Sequence, residues 1–289
     1  MKKILITGAN SYIGVSFENY MKDFSDYKVY TLDMLDKNWK DKDFSEYDSI
    51  FHVAGIAHSD SGKISEEKSN LYYKINTELT EKLANKAKEN SVKQFIYMSS
   101  MIVYGSSSKV GKEKIICKNT IPKPENAYGD SKLQAENKIL PLQCDDFNVV
   151  VLRPPMIYGK NSKGNYNTLS KYAKKLPFFP NIDNKRSMLY IENLCEFVRL
   201  MIQNNEKGIF MPQNKEYTNT SQMVAEIAKI SGRNIKLTKL FNPFLTIFST
   251  VLTVINKVFG SLTYDMSVSE YKDNYCNVSL KKSIKLTEE

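Results

Sequence analysis

What most constrains this chain is its opening: the apolar run 3–7 passes directly into Thr7-Gly8-Ala9-Asn10-Ser11-Tyr12-Ile13-Gly14. A strand that meets glycine there has to turn sharply and open a helix. Gly8 permits the turn, Gly14 lets the helix pack close to the strand, and backbone N–H groups at the helix start can receive a pyrophosphate. A glycine turn in any α/β protein looks alike, so the remaining strands and helices have to carry the weight. Segments 28–32, 49–53, 94–98 and 149–153 read as further strands, and 12–24, 66–90 and 127–142 as helices between them. Such alternation builds βαβ units around a parallel sheet. Beyond Gly159 the pattern changes to basic loops, a strand at 186–190 and helices at 191–203 and 221–231. The expected division is a dinucleotide-binding domain over 1–160, to which the chain returns at about 186–205, and a smaller α/β lobe over 161–185 and 206–289.

Composition removes other classes. Of 289 residues 42% are hydrophobic and 25% charged, enough for a core, which excludes disorder, collagen and coiled coil. The net charge of +9 comes from 37 Lys and 4 Arg dispersed along the chain. Phosphate-tracking surfaces cluster their charge and favour Arg, so no nucleic-acid partner is expected, whereas an anionic small molecule fits. Cys117, Cys144, Cys195 and Cys276 lack metal or redox spacing and read as reduced thiols. The start, Met1-Lys2-Lys3 and then Ile4-Leu5-Ile6, meets Gly8 too early for a signal peptide, so a cytoplasmic protein is expected. Residues 244–255 (FLTIFSTVLTVI) are the most apolar helical stretch and too short for a bilayer needing about 20 residues. They read first as a core or inter-subunit helix, with membrane-surface contact as the alternative.

Two constellations carry chemistry. Asp33 ends the strand Val29-Tyr30-Thr31-Leu32, where a carboxylate can accept from the adenosine ribose hydroxyls and repel a 2′-phosphate, favouring NAD, with NADP not excluded. The plainer reading of Asp33 is a turn former. Ser100 follows a strand, and Tyr128 and Lys132 stand four apart on one helical face. A phenol with a reference pKa near about 10 is a poor base unless a cation favours its phenolate, and Lys132 can supply that charge. Ser100 can orient the reacting hydroxyl toward Tyr128. His52 follows an apolar strand and reads as a satisfied core histidine, and His58 lacks a partner at ligand spacing. Arg153 reads as a strand end closed by Pro154 and Pro155.

TGANSYIG, FHVAG (51–55), SSMIVYG (99–105), YGDSK (128–132), RPPMIYG (153–159) and RSMLYIENL (186–194) stand in one order. In that order the chain resembles the extended short-chain dehydrogenase/reductases acting on nucleotide sugars, over nearly its whole length, and within them the epimerase and keto-reductase branch. The resemblance implies a Rossmann-type doubly wound parallel sheet with a smaller substrate lobe. It places Gly8, Ser11 and Gly14, with Tyr12 and Ile13 at the helix start, at the cofactor phosphates and Asp33 at the ribose. Ala54 and Gly55 would run along the cofactor, and Asn76, Tyr128 and Lys132 would stand by its nicotinamide end. Family members usually carry Gly or Ala where Ser11 stands. Nucleotide-sugar 4,6-dehydratases place Asp and Glu after the catalytic Ser or Thr. Met101 and Ile102 hold those positions here, and neither can transfer a proton. Arg186 is the candidate to grip a nucleotide diphosphate bidentately, a surface Arg being the plainer reading, and Asn165 resembles the family's substrate-contacting Asn. The expected reaction is 4-epimerisation of a UDP-hexose or UDP-hexosamine through a 4-keto intermediate, for polysaccharide precursors. A UDP-4-keto-6-deoxy-hexosamine 4-reductase is the alternative, and a silent dinucleotide sensor the rival that Ser100, Tyr128 and Lys132 argue against. A homodimer, with no transmembrane segment, is the expected assembly.

Overall fold

The computed structural model describes residues 1–56 and 64–289. Its strands are β1 (Lys2–Thr7), β2 (Tyr27–Leu32), β3 (Ser49–His52), β4 (Gln94–Met98), β5 (Ile115–Ile116), β6 (Asn148–Leu152), β7 (Met156–Tyr158), β8 (Phe178–Pro180), β9 (Met188–Tyr190), β10 (Gly208–Phe210), β11 (Lys236–Thr238) and β12 (Thr263–Tyr264). Its α-helices are α1 (Tyr12–Met21), α2 (Glu66–Tyr72), α3 (Leu79–Glu89), α4 (Ala127–Ile139), α5 (Asn165–Lys175), α6 (Ile191–Gln203), α7 (Thr220–Ile230), α8 (Asn242–Phe248), α9 (Thr253–Phe259) and α10 (Leu280–Glu288).

Six strands form one all-parallel sheet in the order β10-β6-β4-β3-β1-β2. β3 and β4 are buried along their whole length, as strands covered on both faces must be. Alternate residues share a face, so Leu5, Ile50, Phe95, Tyr97, Val149 and Val151 join Leu83, Ala84 and Ala87 of α3 and Ala135 and Ile139 of α4 in one core. Each fully buried aliphatic side chain there contributes about 1.5–3 kcal/mol. The strand order reverses at β1, with β2 on one side of it and β3, β4, β6 and β10 on the other. Ligands of open parallel sheets bind at the carboxyl ends of the strands beside such a reversal. Thr7 of β1 pairs with His52 of β3 there.

The sequence expectations differ from the structure in instructive places. The expected helix 66–90 is interrupted by a π-helical stretch, Tyr73–Glu78, and α4 stops at Ile139 ahead of Pro141, which cannot donate to a helical bond. The chain divides into two compact units, and the dividing line runs elsewhere than at 160. The first unit comprises Met1–Gly105, Pro122–Pro154 and Leu194–Pro212. The second comprises Ser106–Ile121, Pro155–Asn193 and Gln213–Glu289. Strand pairing explains the shifts: β5 pairs with β12, which takes 106–121 into the second unit, and β10 pairs with β6, which takes 206–212 into the first. In the second unit β7 pairs with β9 and β8 with β11. The expected strand 186–190 is shortened to β9, with Arg186 in isolated bridges to Thr218 and Leu262. All four cysteines are free. Among the described residues no helix is long and apolar enough to cross a membrane.

The apolar stretch 244–255 is not a core helix. It breaks between α8 and α9, where Ser249 Oγ donates to the Thr246 carbonyl and Thr250 Oγ1 to that of Ile247. Such side-chain bonds compete with helix continuation. Phe244, Ile247, Val251 and Val254 are exposed.

Candidate active site

The glycine turn sits at the strand reversal. Gly8 has a φ of +113°, and a Cβ built on it would meet the Ala54 backbone nitrogen at 2.7 Å, so only glycine lets the β1 and β3 ends approach this closely. Gly14 is equally confined, since its Cβ would lie 2.7 Å from Ser11 Oγ and 3.0 Å from the Gly8 carbonyl. Ser11 is the N-cap of α1, its Oγ accepting from Gly14 N at 3.1 Å, so the hydroxyl that departs from the family pattern has a local role. Tyr12 and Ile13 form the first turn, whose N–H groups have no acceptor within the helix itself. Gly8 N and Ala9 N donate to the Leu32 carbonyl at 3.0 and 3.2 Å, which brings Asp33 next to the turn. Asp33 is exposed and its Oδ1 accepts from Leu35 N at 2.9 Å. It is therefore the turn former of the plainer reading, with a second carboxylate oxygen besides. The cradle of Gly8, Gly14 and the α1 N-terminus fits a dinucleotide, because backbone lies open where any side chain would collide.

The second cluster is built on α4, whose N-cap Asn126 accepts from Gly129 N at 2.8 Å. Tyr128, Lys132 and Glu136 recur every fourth residue and share one face of α4. Burial pushes the Tyr128 phenol up to about 12, the neighbouring Ser100 hydroxyl countering it and Tyr72 adding to it. Ser100 itself caps the turn Met101–Tyr104, accepting from Ile102 N at 3.3 Å. Lys132 is buried. Its Nζ donates to the Met98 carbonyl at 2.9 Å and lies 4.8 Å from the Tyr97 ring centroid. Burial lowers it to about 8, with the Glu136 carboxylate partly restoring it. The expected lowering of the Tyr128 phenol by Lys132 is absent here, the ammonium being directed at the Met98 carbonyl.

Gly55 and Asn76 converge on the same place: a Cβ on Gly55 would stand 2.9 Å from Asn76 Oδ1 and 3.3 Å from Lys132 Nζ. Asn76 is fully buried in the π-helical stretch, a geometry that recurs at functional sites. Its Oδ1 accepts from Ile56 N at 2.9 Å and its Nδ2 donates to Ser131 Oγ at 3.1 Å. The amide thus ties the loop after β3, which carries Ala54 and Gly55, to α4. Glu136, which the motifs do not single out, is fully buried and takes Arg153 Nε at 3.1 and 3.2 Å and the Ser99 hydroxyl. Arg153 Nη1 also donates to Tyr104 Oη at 2.6 Å. The four-residue step from Lys132 to Glu136 is the signal in the sequence that could have found this carboxylate. His52 is a core histidine: Thr7 Oγ1 and Thr80 Oγ1 flank its ring at 2.7 and 2.9 Å, and burial lowers it to about 3. His58 lies outside the described residues.

In the second unit Arg186 is half-buried. Its Nη1 donates to the Lys257 and Gly260 carbonyls at 2.8 and 3.1 Å, at the C-terminal end of α9. Among the described residues no carboxylate pairs with it, and burial lowers it to about 10. It is not the surface arginine of the plainer reading, because the guanidinium charge is desolvated and unneutralised. Asn165 opens α5 behind Gly164 and is exposed.

Residues 4–211 match the NAD dependent epimerase/dehydratase family. The chain is 30% identical to a UDP-glucose 4-epimerase of Vibrio cholerae over 249 residues, 78% of this chain and 75% of that protein. It is 26% identical over 277 residues, 89% of this chain and 81% of the relative, to an N-acetyl-alpha-D-glucosaminyl-diphospho-ditrans,octacis-undecaprenol 4-epimerase of Escherichia coli O157:H7. The crystal structure of a UDP-glucuronic acid 4-epimerase from Bacillus cereus in complex with NAD superposes with a TM-score of 0.74. At 19% identity, over 98% of this chain and 96% of that one, it shows the shared Rossmann-type fold. With the glycine cradle at the strand reversal and the match spanning most of the molecule, the chain belongs to the NAD dependent epimerase/dehydratase family, as an enzyme of the extended short-chain dehydrogenase/reductases.

Proposed function

We propose that this enzyme inverts C4 of a UDP-linked hexose or hexosamine. The observation that carries the reading is the Tyr128 phenol, with the Ser100 hydroxyl beside it, one helical turn from a buried Lys132. Gly8, Ser11, Ile13 and Gly14 would hold the cofactor pyrophosphate, Asp33 the adenosine ribose, and Lys132 the ribose at the other end. NAD, when bound, supplies a reversible hydride acceptor. Tyr128 takes the proton of the C4 hydroxyl as that carbon is oxidised, and Ser100 holds the same oxygen, giving a 4-keto sugar. Lys132 remains mostly protonated at neutral pH, since burial brings it only to about 8, and as a cation it can donate to the ribose hydroxyls. After the sugar has turned in the site, Tyr128 returns a proton to the C4 oxygen of the opposite epimer. Met101 and Ile102 supply no further acid or base, so water elimination has no support. The turning ring has to be held by another part of the substrate, and Arg186, cationic and without a carboxylate partner, suits the diphosphate. Asn165 joins it as a sugar contact.

The same residues would serve a 4-keto-reductase, a reading favoured by the short second unit. Nuclear magnetic resonance of UDP-glucose and UDP-N-acetylglucosamine incubated with enzyme and catalytic NAD separates the two. Epimerase activity gives a mixture of C4 epimers without net change in the nicotinamide. Failure to convert either sugar, with stoichiometric NAD(P)H consumption on a UDP-4-keto-6-deoxy sugar, overturns it.

A further inference from the structure

Residues 240–254 of the second unit present large apolar side chains to the outside. Leu240, Phe244, Ile247 and Val251 are 72, 62, 66 and 77% exposed. Of the eighteen large hydrophobic residues exposed among the described residues, eight fall within these fifteen positions. Phe244 and Ile247, three residues apart, share one side of α8, and Val251 follows in the turn between α8 and α9. The frame beneath is fixed at both ends. Asn242 Nδ2 donates to the Asn181 carbonyl at 2.9 Å, and Thr220 Oγ1 to the Val258 carbonyl at 2.9 Å.

Charge decides what covers this face. From Ile227 to Tyr264 the sequence holds no Asp or Glu, while Lys229, Arg233, Lys236, Lys239 and Lys257 are basic. A second copy seated symmetrically on the same face would bring the exposed Lys236 and Lys239, which lead into Leu240, toward their own images, since a two-fold contact repeats one patch on both sides. A bilayer surface carrying anionic headgroups meets both needs, taking the apolar side chains into its interface and the lysines at the headgroups. Helices of seven residues each, such as α8 and α9, lie in that interface and cannot cross it. We propose that residues 240–254 dock this enzyme on an anionic lipid bilayer. Docking goes beyond the 4-epimerase reading and holds whichever sugar is turned over.

Co-sedimentation of the full chain with vesicles tests it, using phosphatidylcholine alone and phosphatidylcholine mixed with phosphatidylglycerol. The unaltered chain is expected to pellet with the mixed vesicles and far less with phosphatidylcholine alone. Phe244→Ser combined with Ile247→Ser and Val251→Ser should lower partitioning at least tenfold while turnover is kept. Lys236→Gln and Lys239→Gln should each lower it about five-fold at low salt, with the difference shrinking as salt screens the charges. Should the triple variant fail to fold, the two lysine variants decide alone. The proposal is overturned if the unaltered chain stays in the supernatant with mixed vesicles, or if the variants pellet as it does. A lipid-free dimer that the triple variant converts to monomer by sedimentation velocity also overturns it, and gives the face to a second copy.

Discussion

Two arginines, one in each unit, are answered in opposite ways. In the first, Arg153 is answered within the fold: Glu136 takes its Nε through both carboxylate oxygens, and Tyr104 accepts from Nη1. In the second, Arg186 donates to backbone carbonyls, and burial lowers it to about 10. Desolvating a cation is costly unless an anion compensates. A cation already neutralised holds structure together, and one left unneutralised is available to an anionic ligand. His52 between its two threonines and Asn76 between Ile56 and Ser131 belong with Arg153. The Tyr128 phenol, beside Ser100, is the group this contrast assigns to chemistry.

The contrast breaks most visibly in kinetics. Tyr128→Phe should lower kcat by roughly 10²–10⁴, the contribution of a positioned acid–base group, with the melting temperature little changed. Near-normal turnover would remove Tyr128 from the mechanism. Glu136→Ala should act on stability instead, by about 3–5 kcal/mol, because it strands a buried guanidinium. Urea unfolding measures it, and a loss below about 1 kcal/mol would mean that Arg153 is compensated elsewhere.

A smaller effect is expected from pH. His52 titrates lower in the folded protein, at about 3, than its ordinary 6.5. Its contribution is complete above pH 6.5 and is lost as pH falls toward 3, with a slope of about 1.4 kcal/mol per pH unit. His52→Gln should flatten the acid limb of stability against pH, and an unchanged limb would contradict the buried neutral imidazole. Smallest is Asp33→Asn, which keeps an acceptor for Leu35 N and drops one charge at the expected ribose site. Removing that repulsion should improve NADP binding relative to NAD by roughly 1 kcal/mol, read from paired binding isotherms. A wild type that already prefers NADP would contradict the ribose role.

Local physics made part of this legible in the sequence. The glycine turn needs φ > 0 and a close approach, which only glycine tolerates, and Tyr128 and Lys132 share a face because a helix repeats every 3.6 residues. The parallel sheet is written in the alternating apolar runs. What stayed hidden depends on partners distant in the chain. Glu136 and Arg153 meet across 17 residues, from a helix to a strand end, and Arg186 meets carbonyls 71 and 74 residues away. The unit boundary is displaced by β5, two residues long, pairing with β12 far down the chain. Apolar content in 244–255 reads as burial, since hydrophobicity reports a preference and only the tertiary neighbours decide whether it is met.

Calorimetric titration of UDP into the wild type, Arg186→Ala and Arg186→Lys tests most directly that a half-buried cation without a carboxylate partner is the substrate's handle. Alanine should weaken UDP binding by about 1.5–3 kcal/mol, the range for hydrogen bonds to charged groups, while leaving NAD affinity alone. Lysine should restore part of the loss, because a point charge lacks the planar fork. Unchanged UDP affinity in Arg186→Ala would contradict the assignment and reduce Arg186 to a clasp for the end of α9.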